Sequence, residues 1–153
     1  MERVGRAIEM LNEVLARKLN SAAAYVLESS PYWTEAERPI FDAIEELNAT
    51  GRRQAQEAAQ RILLLEGVPQ GGSYDPAVAD SNYLSVRYLV GQLLARLEQD
   101  IAVFEGYRER CEVLEAKDFL TMVIGDDLAH RDRLRALHEQ MKAERTGAAT
   151  HVP

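Results

Sequence analysis

The sequence predicts an all-α protein, an antiparallel four-helix bundle with one long crossover, and three observations point to it. Four segments carry apolar residues at three- and four-residue spacing, the period of an amphipathic helix. One long connection, residues 67–81, is rich in glycine and proline. At mid-length, polar residues or glycine interrupt three of the four apolar stripes. Interruptions at one level indicate that these faces meet inside a single bundle.

The first two helices are predicted from their stripes and end signals. Helix A is expected over residues 4–29 and ends at a Ser-Ser-Pro sequence, because a residue before proline avoids the α conformation. Thr34 and Glu37 are spaced as a capping box and indicate the start of helix B. The glycines and proline of residues 67–72 end helix B.

The long connection predicts the topology. Its fifteen residues reach about 50 Å when extended, whereas a helix of about 28 residues is about 42 Å long. Residues 67–81 can therefore run the length of the bundle, which makes helices B and C parallel. Helix C is expected to begin near Ser81, and a turn near residues 111–116 separates it from helix D. The helical domain is expected over residues 1–145, with residues 146–153 as a disordered tail.

Composition limits the functions open to this chain. With 18 Lys+Arg against 25 Asp+Glu, the formal net charge of −7 repels a phosphate backbone, and no nucleic-acid binding is expected. Cys111 is the only cysteine in the sequence, and its place on an apolar stripe predicts a core residue. Apolar runs such as residues 62–65 are far shorter than the roughly 20 residues of a membrane span. With no signal-peptide pattern at the start, a cytoplasmic protein without membrane association is expected.

The interruptions of the stripes are the candidate functional residues. They are Lys18 on helix A, Gly51 and Gln54 on helix B, and Asp127 and His130 on helix D. A polar group on a core-facing position is costly unless it is paired or binds a ligand. A buried site, or what remains of one, is therefore predicted at the middle of the bundle. The other histidines, His138 and His151, are expected on the surface and in the tail.

In three stretches the sequence resembles the ferritin-like superfamily, and bacterioferritin in particular. These are residues 11–19 with Tyr25 beyond them, residues 61–69, and residues 118–134. The diiron site of that family takes one carboxylate from each of two helices and a Glu-x-x-His pair from each of the other two. The resemblance implies that Tyr25 matches a family tyrosine near the metal centre.

Carried onto this chain, the resemblance implies a degenerate diiron site. Three helices lack the family's ligand types, and the residues at those positions are Lys18, Gly51 with Gln54, and Leu94. On helix D the pair persists as Asp127-x-x-His130, with a shorter carboxylate. The methionine that binds haem in bacterioferritins corresponds to Arg52, so no haem is expected.

Two states of this site are considered. In the first, the Lys18 ammonium faces Asp127, and His130 and Gln54 complete a hydrogen-bonded polar cluster. In the second, Asp127 and His130 hold a single divalent metal, although a nearby lysine opposes a dication. Two further carboxylates lie within reach as supporting ligands: Asp126 and Glu98.

The function implied is that of a bacterioferritin-like protein without ferroxidase or haem sites, a non-catalytic structural or interaction subunit related to iron homeostasis. No cofactor is expected. A broad apolar face over residues 22–26 and 62–65 predicts at least a homodimer, and a ferritin paralogue is a second candidate partner. Two alternatives stay open. One is an active iron-oxidising, iron-storing ferritin with unrecognised ligands, and the other is a small-molecule binding module that uses the vacated core pocket.

Overall fold

The computed structural model describes residues 2–29, 33–71 and 86–150, with backbone alone for Ser29, Val86 and residues 144–150. The α-helices within these ranges are α1 (Glu2–Leu19), α2 (Ala22–Ser29), α3 (Arg38–Leu64), α4 (Val86–Arg110) and α5 (Leu114–Thr150). A 3₁₀ turn, Glu35–Glu37, precedes α3. α1 and α2 together take the place of the predicted helix A.

Contacts between α1 and α4 show that these two helices are antiparallel. Arg3, at the start of α1, pairs with Glu112, just beyond the end of α4, at 3.2 Å. Arg17, near the end of α1, pairs with Asp100 at 2.6 Å. Residue numbers therefore rise along one helix as they fall along the other.

α3 and α5 are antiparallel in the same way. Glu46 pairs with Arg133, and the Arg61 guanidinium lies 4.6 Å from the centroid of the Phe119 ring. α4 and α5 are joined through residues 111–113 and pack as an antiparallel pair. Since α3 and α4 both run opposite to α5, they are parallel to each other, as the sequence predicts.

The described start of the crossover follows α1 toward the opposite end of the bundle. Asn12 Nδ2 donates to the Val68 carbonyl at 3.2 Å, and the Gln70 N–H donates to Asn12 Oδ1 at 2.6 Å. Further on, Asn20 Nδ2 donates to the Gly71 carbonyl at 3.0 Å. The rest of the predicted crossover and the predicted start of helix C lie outside the described residues.

A break separates α1 from α2, whereas the apolar stripe predicts one helix over residues 4–29. Asn20 Nδ2 donates to the carbonyl of Ala16 at 2.9 Å, and Ser21 Oγ accepts from the N–H of Ala24 at 3.2 Å. These side chains satisfy backbone groups at the end of α1 and the start of α2, so the chain breaks between them at little cost.

The end of α3 differs in detail from its prediction. Glu66 has a positive φ of 64°, and Gly67 is the next residue. A Cβ at position 67 would lie 2.8 Å from Cγ2 of Ile8, closer than side chains tolerate. Gly67 is therefore required for close approach to α1, while Glu66 adopts the left-handed conformation that ends the helix.

Other predicted boundaries are confirmed. The N–H and Oγ1 of Thr34 donate to Glu37 Oε1 at 3.3 and 2.7 Å, which forms the capping box. The turn between α4 and α5 covers residues 111–113, within the predicted interval. Helical backbone continues to Thr150, into the segment assigned to a tail, and residues 151–153 lie outside the described part of the chain.

The core lies between the inward faces of α1, α3, α4 and α5, and Cys111 is buried in it as predicted. On α5, Leu120 and Ile124 are buried, while Met122 between them is 41% exposed. One expectation about this helix is wrong. His138 was expected on the surface, but only 7% of it is exposed. None of the helices in the described ranges combines the length and apolar content needed to cross a bilayer.

Candidate functional site

The bundle brings residues of α1, α3 and α5 together at mid-length. Lys18 lies one residue before the end of α1 and reaches Asp127 on α5. A Cβ at Gly51 of α3 would lie 3.9 Å from Lys18 Cδ, so the lysine stem passes over this glycine. Gln54, one turn further along α3, contacts the neighbouring residue of α5, Asp126. The predicted meeting of these stripes is therefore correct.

Lys18 and Asp127 form a buried ion pair, as predicted. Lys18 Nζ donates to Oδ1 of Asp127 at 2.8 Å and to Oδ2 at 2.7 Å. The two side chains are 5% and 0% exposed. Nζ also lies 5.6 Å from the centroid of the Phe104 ring, whose face stabilises the ammonium further. Both carboxylate oxygens of Asp127 thus accept hydrogen bonds from one cation.

Burial and charge act in opposite directions on the titratable groups of α5. Burial raises the pKa of Asp127, the charge and hydrogen bonds of Lys18 lower it, and Asp100 raises it further. Burial lowers the pKa of His130, while the negative charges of Asp127 and Glu46 partly raise it again. Lys18 is therefore the group that supports the ionised form of Asp127 against desolvation.

Gln54 and His130 bond to groups other than Asp127, which corrects the predicted polar cluster. Gln54 Nε2 donates to Asp126 Oδ2 at 3.2 Å, and His130 Nε2 lies 3.1 Å from Thr50 Oγ1. Adjacent helix positions point in directions about 100° apart, so Asp126 faces α3 while Asp127 faces Lys18. Gln54 Oε1 is buried without a hydrogen-bond partner among the described groups.

The other predicted site residues lie at the margin of this centre. Leu94 of α4 is half-buried and packs against the core, and Tyr25 of α2 is half-buried. Glu98, considered as a supporting metal ligand, forms an ion pair with Arg135. Within the described ranges, no group of three His, Cys, Asp or Glu side chains is placed to hold a metal ion.

A second ion pair, which the sequence pattern did not predict, lies beside the first. Arg17 Nη1 donates to Asp100 Oδ1 at 2.6 Å, and Arg17 Nε donates to Glu13 Oε1 at 3.0 Å. The spacing of Glu13 and Arg17 is the ordinary i,i+4 signal for a helix pair. The partnership with Asp100 depends on the register between α1 and α4, for which a single sequence carries no signal.

A small cavity lies beside Lys18. Its volume is about 40 Å³, and its lining includes Lys18, Gly51, Arg96 and Asp100. One water needs roughly 10–15 Å³ on the same measure, and ligand pockets span about 300–1,000 Å³. The space therefore suits a few water molecules, because the lysine stem occupies much of the region over Gly51.

Comparison with known proteins identifies the fold. No protein-family model and no curated protein sequence matches the chain. Among solved structures, it is similar to a ferritin-like diiron-carboxylate protein from Bacillus anthracis, with a TM-score of 0.74 and 20% identity over 90% of this chain and 99% of that one. The fold is ferritin-like.

A second similar structure supports the same conclusion. It is the bacterioferritin of Rhodobacter capsulatus, described with a metal-free dinuclear site and a haem iron, with a TM-score of 0.71. The identity is 19%, over 91% of this chain and 87% of that one. The ferritin-like architecture is therefore shared over nearly the whole chain, while the two sequences differ at most positions.

Proposed function

We propose that this chain is a ferritin-like subunit in which an internal ion pair replaces the dinuclear iron centre. Its role is then structural or interaction-based within iron homeostasis, without catalysis. One observation carries the proposal: Lys18 Nζ binds both oxygens of Asp127 in the core of the bundle. The ammonium supplies positive charge to a carboxylate that metal ions would otherwise neutralise.

The donor set does not fit two iron ions. The residues that correspond to the missing ligands offer neither a carboxylate nor an imidazole, and they are Lys18, Gly51, Gln54 and Leu94. Of the surviving pair, Asp127 is bound by Lys18, and His130 is bound to Thr50. A dication at Asp127 would have to displace an ammonium that then repels it. We therefore expect neither a resident metal nor ferroxidase activity.

We also expect this chain to bind no haem. Arg52, at the position of the haem-binding methionine, is exposed on α3 in the single chain. A guanidinium is permanently charged and has no lone pair for iron, whereas a thioether sulfur has one. A dimer of this chain would therefore present arginine at the position where bacterioferritins present their haem ligand.

A homodimer is part of the proposal, through the face formed by α1, α3 and the start of the crossover. Four large apolar side chains are exposed on these segments: Leu19 at 54%, Leu63 at 61%, Leu64 at 82% and Val68 at 70%. Large exposed apolar side chains are candidates for burial in an association surface. Ile62, Ala23 and Val26, which were expected on this face, are instead buried within the chain.

Two measurements on the purified protein test the proposal. In aerobic Fe(II) oxidation followed by absorbance, we expect the rate to equal that of buffer, and elemental analysis is expected to find no stoichiometric iron. Fast, saturable oxidation with about two irons per subunit, the stoichiometry of a diiron site, would show an active ferritin instead. Sedimentation velocity is expected to give twice the chain mass, and Leu64→Glu is expected to shift the protein toward the monomer.

The remaining alternative, a small-molecule module in the core, has less support. The cavity at Lys18 and Gly51 is about 40 Å³, well below the roughly 300–1,000 Å³ of ligand pockets. Native mass spectrometry of the protein as purified separates the two ideas. We expect the mass of the bare polypeptide or of its dimer, and a retained compound lost on Gly51→Leu would favour the module.

A further inference from the structure

A second cavity lies away from the Lys18 site, between the start of α4 and the later part of α5. Its volume is about 440 Å³. That size falls within the roughly 300–1,000 Å³ of small-molecule sites, and much of the space is open to solvent. The polar residues of its lining are Arg87, Tyr88 and Gln92 from α4 and His138 and Lys142 from α5.

His138 lines this cavity, and one of its ring nitrogens is buried without a hydrogen-bond partner. The residue is 7% exposed, and its Nε2 is buried without a hydrogen-bond partner. A hydrogen bond with the Arg87 backbone raises the pKa of His138, and because Nε2 has no partner we assign this bond to Nδ1 as donor. That bond fixes the tautomer, so Nε2 of the neutral ring carries a lone pair and accepts a hydrogen bond. A buried acceptor without a hydrogen-bond partner costs free energy, which indicates that a bound group donates a hydrogen bond to Nε2.

Gly91 lies beside the imidazole. A Cβ at this position would lie 3.9 Å from Cε1 of His138, in ordinary van der Waals contact with the ring. Glycine in the interior of a helix lowers its stability relative to alanine. Gly91 therefore lowers the stability of α4 at a position that faces the His138 ring.

The charges around the cavity favour an anion. Its described lining contains two cations, Arg87 and Lys142, and no carboxylate. Glu139 lies 3.5 Å from Lys142 in an exposed pair outside the lining. Burial lowers the pKa of His138, and the charges of Lys142 and Arg87 lower it further, against the raising effects of the Arg87 carbonyl and Glu139. The ring is therefore neutral at neutral pH, with the lone pair on Nε2.

We propose that this cavity binds a small phosphate-bearing ligand, either inorganic phosphate or a phosphate monoester. Arg87 and Lys142 bind the anionic oxygens, and one proton is shared between a phosphate oxygen and His138 Nε2. The ligand must carry negative charge for the two cations and a proton for Nε2. Phosphate meets both requirements because its second pKa is about 6 in esters, so near neutral pH it is negatively charged and can still donate a proton. Sulfate has the charge but no proton to donate. The proposal is independent of the Lys18 site.

Imidazole NMR signals test the proposal directly, since the chain has three histidines. Inorganic phosphate, phenyl phosphate and sulfate are each titrated at neutral pH and constant ionic strength, with His138→Gln used to assign the signal. We expect either phosphate compound to shift the His138 signal saturably, and sulfate to shift it far less. Saturation by phenyl phosphate alone would identify the ligand class as a monoester. If sulfate shifts the His138 signal as much as phosphate does, the proposed sharing of a proton is wrong. If none of the three anions causes a saturable shift, the proposed binding site is wrong.

Variants of the lining give a second readout. Arg87→Gln is expected to weaken phosphate binding by at least about tenfold, because a charge-assisted hydrogen bond is lost. Arg38→Gln is the matched control, since Arg38 is an exposed arginine at the start of α3, and it should leave binding unchanged. Equal binding by both variants would contradict the assigned role of Arg87.

Discussion

Replacing Lys18 by methionine tests how strongly the buried ion pair stabilises the bundle. Methionine keeps most of the apolar stem that lies over Gly51 and removes the ammonium. Asp127, which is 0% exposed, then loses the cation that binds both of its oxygens. Removing one partner of a buried pair costs about 3–5 kcal/mol, a large part of the roughly 5–15 kcal/mol that stabilises a domain. We expect a loss of that size at pH 7.

The loss is expected to depend on pH, with a definite sign. Burial raises the pKa of Asp127 in the folded protein above the unfolded value of 3.8, and the Lys18 charge counteracts this. Without Lys18 the folded pKa rises further, so the neutral carboxyl is favoured. The stability gained by protonation is fully present below 3.8 and is lost as the pH rises through the folded pKa. The gap between Lys18→Met and the parent protein should therefore narrow in acid.

Urea unfolding followed by circular dichroism measures these free energies. Lys117→Met, at an exposed lysine of α5, is the control and should change the free energy of unfolding by less than about 0.5 kcal/mol. Combining Lys18→Met with Asp127→Leu removes both charges and should recover most of the loss, since an apolar pair can replace a buried ion pair. A cost below about 1 kcal/mol for Lys18→Met at pH 7 would refute a structural role for the pair.

Three further outcomes are expected. Gly51→Ala should raise the free energy of unfolding by about 1 kcal/mol, because the new Cβ lies at an ordinary 3.9 Å from Lys18; a decrease would mean that close packing requires the glycine. Burial lowers the pKa of His130 from 6.5, so the free energy of unfolding should fall as the pH drops through that value. Urea unfolding at several pH values should show a weaker pH dependence of this free energy for His130→Gln. A quadruple variant that introduces the ligand types of the diiron family should bind Co(II); its substitutions are Lys18→Glu, Gly51→Glu, Gln54→His and Leu94→Glu. If the folded variant takes up no Co(II), these positions do not correspond to the family's ligand positions.

Features that depend on the pattern of residues along a single helix or loop could be predicted from the sequence. Apolar periodicity predicted the helices, and the length of the connection predicted the parallel arrangement of α3 and α4. The meeting of Lys18 and Asp127 also followed, because their stripes are interrupted at one level. His138 lies four residues after Leu134, so its burial was available from the same spacing, although it was assigned to the surface.

Features that depend on helix rotation could not be predicted in this way. Whether Gln54 reaches Asp126 or Asp127 depends on how α3 is turned relative to α5, and the two carboxylates differ by one position along the chain. The break after Leu19 is set by side chains that compete for backbone hydrogen bonds, and Asn20 carries no helix-breaking signal as strong as that of proline.

The Lys18–Asp127 pair also bears on how the buried carboxylate is neutralised when the chain folds. A carboxylate cluster that is completed by metal is left self-repelling whenever the supply runs short. Here the two opposite charges are encoded 109 residues apart in one polypeptide and come together as soon as α1 and α5 dock. The charge of the buried Asp127 carboxylate is therefore balanced from within the chain itself.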